Sequence, residues 1–258
     1  SSYLIMTDYN NFDKWKSNYS VMMRKGNAFV NCESCSSRAK SIFCALQESD
    51  VEAINHNKGC STYKNGQIIF SQNALPHGIF VVYSGKVKVF QLAENGREQI
   101  VRLVKAGDVI GYRALLSDEC YTSTAEALVE SDICFIPKDL FFGMMIKNIS
   151  ISAGLMKQLT QDLKSAESKI TGLAQKTVRE RMSEALLFIK ETYGFEKDNK
   201  TINVVLTREE IANLVGTATE TVIRLLATLK TERLIDFNGK KIELLNVPKL
   251  IVMANMSD

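Results

Sequence analysis

The chain has 258 residues, 45% of them hydrophobic and 24% charged, with 32 basic and 29 acidic side chains for a formal net charge of +3. That length is enough for two compact domains with their own cores, and the composition is that of an ordinary globular protein. A charge balance this mild excludes a uniformly basic nucleic-acid coat, so any surface for a polyanion must be local. No apolar run reaches the roughly 18 residues that a membrane-spanning helix needs. The opening SSYLIMTDYNNFDKWK has no apolar core behind a basic start, which reads against a secretory signal. The expected compartment is the cytoplasm, where thiols stay reduced and clustered cysteines bind metal or do redox work.

Residues 1–30 read as an N-terminal arm. Directly after it, residues 32–44 run CESCSSRAKSIFC and hold three of the six cysteines. Short alternating runs then recur across 60–137: QIIF, GIFVVY, KVKVFQL, EQIVRLV and SDICFIP. Turn chemistry separates them at Lys64-Asn65-Gly66, Ser84-Gly85, Glu94-Asn95-Gly96 and Ala106-Gly107-Asp108. Asn-Gly between alternating runs is the strongest short-range hairpin signal. Regularly spaced short strands with glycine turns predict a β roll, barrel or sandwich over 31–137.

The period changes at 138. From there to 176 apolar residues recur at helical spacing with no proline. Met156, Leu163 and Ile170 lie seven apart, as do Leu159, Ala166 and Leu173, and the second set follows the first by three. This is an a/d seam, flanked by Lys157, Gln158, Asp162, Lys164 and Glu167. The spacing predicts a helix that pairs with its own copy; the plain alternative is an amphipathic helix packed on its own β domain.

After this helix, VRERMSEALLFIKETYG reads as a second one ending at Gly194, and TINVVL as a strand. Residues 207–233 are TREEIANLVGTATETVIRLLATLKTER. Thr207-x-x-Glu210 fits a capping box, Ile211, Leu214 and Val215 give an inner face, and Gly216 breaks the helix. Thr217-x-x-Glu220 fits a second box, followed by Val222, Leu225, Leu226 and Leu229 at helical spacing. Two short capped helices around a glycine turn are the helix-turn-helix pattern. LIDFNGKKIELLN, turning at Asn238-Gly239, adds a wing. A plain helical hairpin would explain the helices, but not caps, breaker and wing in this order.

Thr217, Thr219, Glu220, Ile223 and Arg224 lie at the start of the second helix, where a recognition helix meets base edges in the major groove. Arginine there donates bidentately to guanine, and glutamate accepts from cytosine or orients the arginine. Lys230, Arg233, Lys240 and Lys241 suit phosphates, which position without reading sequence.

With roll, long helix and winged helix-turn-helix in order, residues 32–250 resemble the CRP/FNR family of bacterial transcription regulators. The resemblance is carried by Gly66, Gly85, Gly107 and Gly111, by the stretch AGDVIG, and by ETVIRLL in the recognition helix. It implies an α+β fold with a cyclic-nucleotide-binding-like β-roll over 31–137, a dimerisation helix over 138–176 and a winged helix-turn-helix domain over 177–258. It also implies a homodimer that binds palindromic double-stranded DNA through residues 217–231, with RNA polymerase as a partner and no membrane. In the FNR-like branch the recognition pattern is Glu, two residues, then Ser-Arg. Glu220 and Arg224 match, while Ile223 replaces the serine, so related but not identical operator bases are expected. No nucleophile motif, phosphate loop or His-carboxylate metal set points to an enzyme.

The cAMP-binding branch holds the cyclic phosphate with an Arg-Ser pair, where this chain has Tyr121 and Thr122, and Arg113 is the only arginine in 105–130. Without a charge-assisted donor the phosphate loses its strongest anchor, which argues against cAMP and leaves another small effector open. In the FNR-like branch three N-terminal cysteines and a fourth on a distant roll strand hold a [4Fe–4S] cluster. By that resemblance Cys32, Cys35, Cys44 and Cys134 are the candidate ligands, as soft thiolates suit iron. The eight-residue gap between Cys35 and Cys44 is longer than that branch usually shows, and Cys60 and Cys120 are spare. Unliganded thiols, tetrahedral zinc and haem through His56 or His77 remain alternatives. Ala166 in the seam offers no like-charge reason for the copies to separate, so constitutive dimerisation is expected.

Overall fold

A computed structural model describes residues 31–255, so the N-terminal arm read over 1–30 lies outside the described residues. Residues 31–47 hold turns and one 3-10 turn, Arg38–Lys40, before α1 (Glu48–Asn57). Eight strands follow: β1 (Gly59–Tyr63), β2 (Ile68–Phe70), β3 (Gly78–Ser84), β4 (Lys86–Leu92), β5 (Glu98–Lys105), β6 (Val109–Ile110), β7 (Thr124–Ala127) and β8 (Ser131–Pro137), with α2 (Tyr112–Ser117) between β6 and β7. They form two four-stranded antiparallel sheets ordered β1-β8-β3-β6 and β2-β7-β4-β5. Inward residues of both, among them Val82, Val87, Val104 and Ile133, close a core between the sheets. The Asn-Gly turns fall where expected, with Gly66 and Gly96 at φ 80° and 79°, where only glycine is unstrained. Short β1, β6 and β7 lie outside the predicted runs. β1 is the instructive one, since GCSTY has no apolar alternation and owes its conformation to pairing with β8.

The predicted continuous helix over 138–176 is two helices, α3 (Lys138–Lys147) and α4 (Ile149–Gln175). Asn148 between them is extended, at φ −120° and ψ 98°, and its side-chain amide donates to Met144 O and Asp50 Oδ2 at 3.2 and 3.0 Å. An asparagine that bonds locally competes with helix propagation, and here the competition breaks the helix.

The rest follows as α5 (Val178–Tyr193), α6 (Arg208–Val215), α7 (Thr219–Thr231), the hairpin β9 (Ile235–Asn238) and β10 (Lys241–Leu244), and α8 (Val247–Met253). α5 begins in a capping box between Thr177 and Glu180 and ends at Gly194. TINVVL, predicted as a strand, makes only isolated bridges, Phe195 with Ile202 and Thr201 with Glu243. The core of this C-terminal part, including Met182, Leu186, Ile211, Val222 and Leu226, is continuous with Phe90, Ile100, Leu103 and Leu128 of the roll. The two domains therefore share buried surface. Among the described residues no helix is long and apolar enough to cross a membrane.

Candidate functional site

The head begins with the predicted capping box of α6: Thr207 Oγ1 accepts from Glu210 N at 3.0 Å, and Thr207 N donates to Glu210 Oε2 at 2.7 Å. Gly216 then turns the chain in the left-handed region, φ 73° and ψ 52°. The second predicted box does not form. Gly216 N and Thr217 N both donate to Ala212 O, at 2.9 and 3.1 Å, so Thr217 belongs to the closing turn of α6. The N-cap of α7 is Ala218, which has no side-chain bond to offer. Glu220 is therefore not folded back onto a cap.

Val222, Leu226 and Leu229 bury the inner face of α7, and Glu220, Ile223 and Arg224 stand exposed on the other. Thr217 and Thr219 are half-buried beside them. Lys230 lies 2.6 Å from Asp236 Oδ1 and over the Phe237 ring; this exposed pair holds the Asp236 carboxyl below the usual carboxylate range. Lys240 is exposed at the wing turn, and Lys241 pairs with Glu196. Arg208 was not singled out from sequence. Its guanidinium packs 4.7 Å from the Phe237 ring centroid, in a cleft of about 560 Å³ that it lines with Ile223 and Lys230. Its position beside the cap was visible in the sequence; its stacking partner, on the wing, was not.

The seam residues Met156, Leu159, Leu163, Ala166, Ile170 and Leu173 are all exposed on this chain. The opposite side of α4 docks on its own roll. Ile151 and Leu155 join a core with Phe43, Tyr112 and Phe141. Further along, the Tyr112 hydroxyl donates to Asp162 Oδ2 at 2.6 Å, and Lys169 Nζ donates to Val101 O at 2.7 Å.

A buried polar joint links roll and head. Lys88 on β4, its side chain 6% exposed, lies 3.3–3.4 Å from carboxylate oxygens of Glu98, Glu126 and Glu210. Burial alone pushes its ammonium down, but Glu126, Glu210 and Glu98 together hold it above the usual lysine value. Glu210 is thus at once the cap of the helix preceding the recognition helix and a ligand of the roll's lysine. Nearby, Gln99 Nε2 donates to Asn213 O at 2.6 Å and Tyr193 Oη to Val87 O at 3.1 Å.

The roll interior is filled. Tyr121 stacks on Phe70 at 4.1 Å between centroids, and Phe70 on Phe80 at 5.6 Å. The cavity beside them, lined by Arg102, Tyr112, Arg113, Tyr121 and Thr122 among others, is about 30 Å³, room for a water or two. Arg102 is turned to Val109 O and to Asp162.

The cysteines are arranged differently from the predicted set. Cys134, buried on β8, faces Cys60 on β1 with the sulfurs 2.7 Å apart. Cys32 Sγ accepts from Lys58 Nζ at 2.8 Å. Cys35 sits in the turns of 31–47 and Cys44 is exposed. Among the described residues no three His, Cys, Asp or Glu side chains are grouped to hold a metal ion. A cubane needs four converging thiolates, so the set Cys32, Cys35, Cys44 and Cys134 does not fit one as arranged. His56 and His77 are exposed, and His56 Nδ1 lies 2.9 Å from Glu52 O within its own helix.

The geometry agrees with known proteins. The cyclic nucleotide-binding domain family matches residues 60–148, and the Crp-like helix-turn-helix domain family matches residues 180–253. The fumarate and nitrate reduction regulatory protein of Vibrio cholerae is 26% identical over 91% of this chain and 94% of its own length. Regulatory protein HlyX of Actinobacillus pleuropneumoniae is 26% identical over 86% and 93%. Among solved structures, a CRP/FNR-family transcriptional regulator from Thermus thermophilus superposes with a TM-score of 0.65 at 26% identity, over 76% of this chain and 98% of that one. FixK2 from Bradyrhizobium japonicum superposes with a TM-score of 0.70 at 23% identity, over 78% and 99%, and supports the fold alone. With both domains matched in this order and on this architecture, the chain belongs to the CRP/FNR family and is a transcription regulator with a helix-turn-helix DNA-binding domain.

Proposed function

We propose that the chain acts as a homodimer joined along the outward side of α4, each copy setting Glu220, Ile223 and Arg224 into the major groove of a palindromic operator. One observation carries this reading: the same chain leaves exposed a continuous apolar heptad stripe and the outer face of the recognition helix with Glu220, Ile223 and Arg224. Two-fold symmetry places the half-sites about 34–36 Å apart. Lys240 and Arg233 are exposed and suit phosphates. Lys230 can exchange Asp236 for phosphate, because a solvent-exposed pair holds it only weakly. With Ala166 in the stripe, dimerisation is constitutive, and action on transcription runs through RNA polymerase in the cytoplasm.

The filled roll and the missing Arg-Ser pair speak against cAMP as the effector. Iron loading of Cys32, Cys35, Cys44 and Cys134 would require these thiols to be drawn together from where they lie. Iron and sulfide analysis of protein purified without oxygen, before and after air, decides that point; iron-free protein from anaerobic cells leaves the thiols themselves as the sensor chemistry.

The test of the main reading is selection of an operator from a random pool, followed by mobility shifts at two salt concentrations. Arg224→Ala is expected to weaken the selected site by about 1–3 kcal/mol and to relax one position in each half-site. Equal weakening on every sequence would refute base reading by Arg224.

A further inference from the structure

We infer that Cys60 and Cys134 form a redox-active dithiol, an oxidation site on the β-roll whose substrate is a hydroperoxide. The inference goes beyond the regulator reading and does not depend on it.

The two residues are direct partners across the antiparallel pair of β1 and β8, 74 positions apart in the chain, with sulfurs 2.7 Å apart. Opposed residues of such a pair have Cα atoms about 4.5–5.5 Å apart, inside the roughly 4.4–6.8 Å that a disulfide spans. A bond between them therefore needs little backbone movement. Lys58, immediately ahead of β1, brings its ammonium to this cluster, 2.8 Å from Cys32 Sγ and within electrostatic reach of Cys60 and Cys134.

The reaction balances in two steps. The sulfur of Cys60, the more open of the pair, attacks the terminal peroxide oxygen; the O–O bond breaks, Cys60 becomes a sulfenic acid, and the other oxygen takes the proton that Cys60 loses and leaves as water from hydrogen peroxide, or as the alcohol from an organic hydroperoxide. The Cys134 thiol, 7% exposed, then attacks the Cys60 sulfur. The S–O bond breaks, water leaves with the Cys134 proton, and the S–S bond forms. Each sulfur loses one electron and the peroxide gains two. A dithiol reductant reverses the bond by exchange. The link would tie β1 to β8, which runs through Pro137 directly into α3.

The experiment treats the reduced, metal-stripped chain with hydrogen peroxide, alkylates it, and maps non-reduced peptides by mass spectrometry. A cross-linked peptide joining Cys60 to Cys134 is expected, with thiols titrated in denaturant falling from six to four and returning with dithiothreitol. Cys60→Ser, at a half-exposed position, and Cys134→Ser should each abolish that peptide, while Cys120→Ser should keep it. Recovery of Cys134 as a free thiol from folded, peroxide-treated protein, or a link confined to Cys32, Cys35 and Cys44, overturns the inference.

Discussion

The two sides of α4 differ in how their apolar residues run. The side facing the roll begins apolar, with Ile151 and Leu155 in a core, and ends polar, with Asp162 receiving the Tyr112 hydroxyl and Lys169 donating to Val101 O. The outer side stays apolar from Met156 to Leu173 and stays exposed throughout. The inner side has found its partners within the chain, polar where β5 presents backbone carbonyls. Apart from Leu173, whose Cδ2 lies against Gly216, the outer side is left uncovered by its own chain, and exposed apolar stripes of this length mark association surfaces.

That contrast predicts opposite outcomes for leucines eight positions apart. Leu155→Ala, at a position 2% exposed, should lower folding stability by about 2–5 kcal/mol, seen as a reduced denaturant midpoint. The protein that remains folded should still dimerise. Leu163→Glu, at a position 60% exposed, should leave the fold of a single chain nearly intact, since surface changes cost within about 0.5 kcal/mol. It should raise the dimer dissociation constant by about 100-fold, roughly 2.7 kcal/mol, as read by sedimentation equilibrium. Normal association by Leu163→Glu would break the contrast and leave the outer stripe to another partner.

The joint at Lys88 sharpens the same comparison, because it is polar and buried where the seam is apolar and open. Lys88→Met removes the cation from Glu98, Glu126 and Glu210, whose side chains keep 29, 18 and 15% exposure. That residual exposure softens the loss, so about 1–3 kcal/mol is expected in place of the full penalty of a buried orphan charge. The lysine's folded value is raised, so its contribution is fully present below the unfolded lysine range and fades only as pH climbs through the raised value. In Lys88→Met the Glu126 carboxyl, already raised by burial, also loses the lysine that lowers it, so the destabilisation should be largest where all three carboxylates are charged and shrink as pH falls and Glu126 protonates, which a chemical denaturation series across pH checks. Restoration by adding Glu210→Gln would identify repulsion among the carboxylates as the cause.

Local chemistry made part of this legible. Asn65-Gly66, Asn95-Gly96 and Asn238-Gly239 mark turns because glycine alone takes their positive φ freely, and Thr207 with Glu210 marks a cap because both partners lie within one turn. Where two local signals compete, spacing is not enough. Thr217 and Glu220 have the spacing of a box, yet Gly216 draws Thr217 into the previous helix. Asn148 has no pattern that announces a break, and its bond to Asp50 spans 98 residues. The contact of Cys60 with Cys134 and of Lys88 with Glu210 depends on strand register and domain docking, which no short window encodes. β1 is the sharpest case: its residues lack alternation, so the strand that sets Cys60 opposite Cys134 was invisible until its partner was placed.

The smallest predicted effect lies at the base of the wing and asks whether the head can loosen without either side of α4. Asp198 accepts from Lys200 N, Thr201 N and the Thr201 hydroxyl, and Thr201 bridges to Glu243 on β10. The Thr201 side chain, with the backbone amides, holds the Asp198 carboxyl well below its ordinary 3.8, at about 2. A carboxylate with a depressed folded value stabilises the folded form above its unfolded value and loses that contribution as pH falls through the folded one. Between about pH 4 and 2, the protection of the Thr201 and Ile202 amides, taken relative to their intrinsic exchange rate at each pH, should therefore fall in the native chain. In Asp198→Asn that protection should already be low at neutral pH and should not change with acid, while protection along α4 is the same in both. An equal loss of protection in α4 would mean that head and helix open as one unit, and the two sides of α4 would then have to be weighed together with the wing.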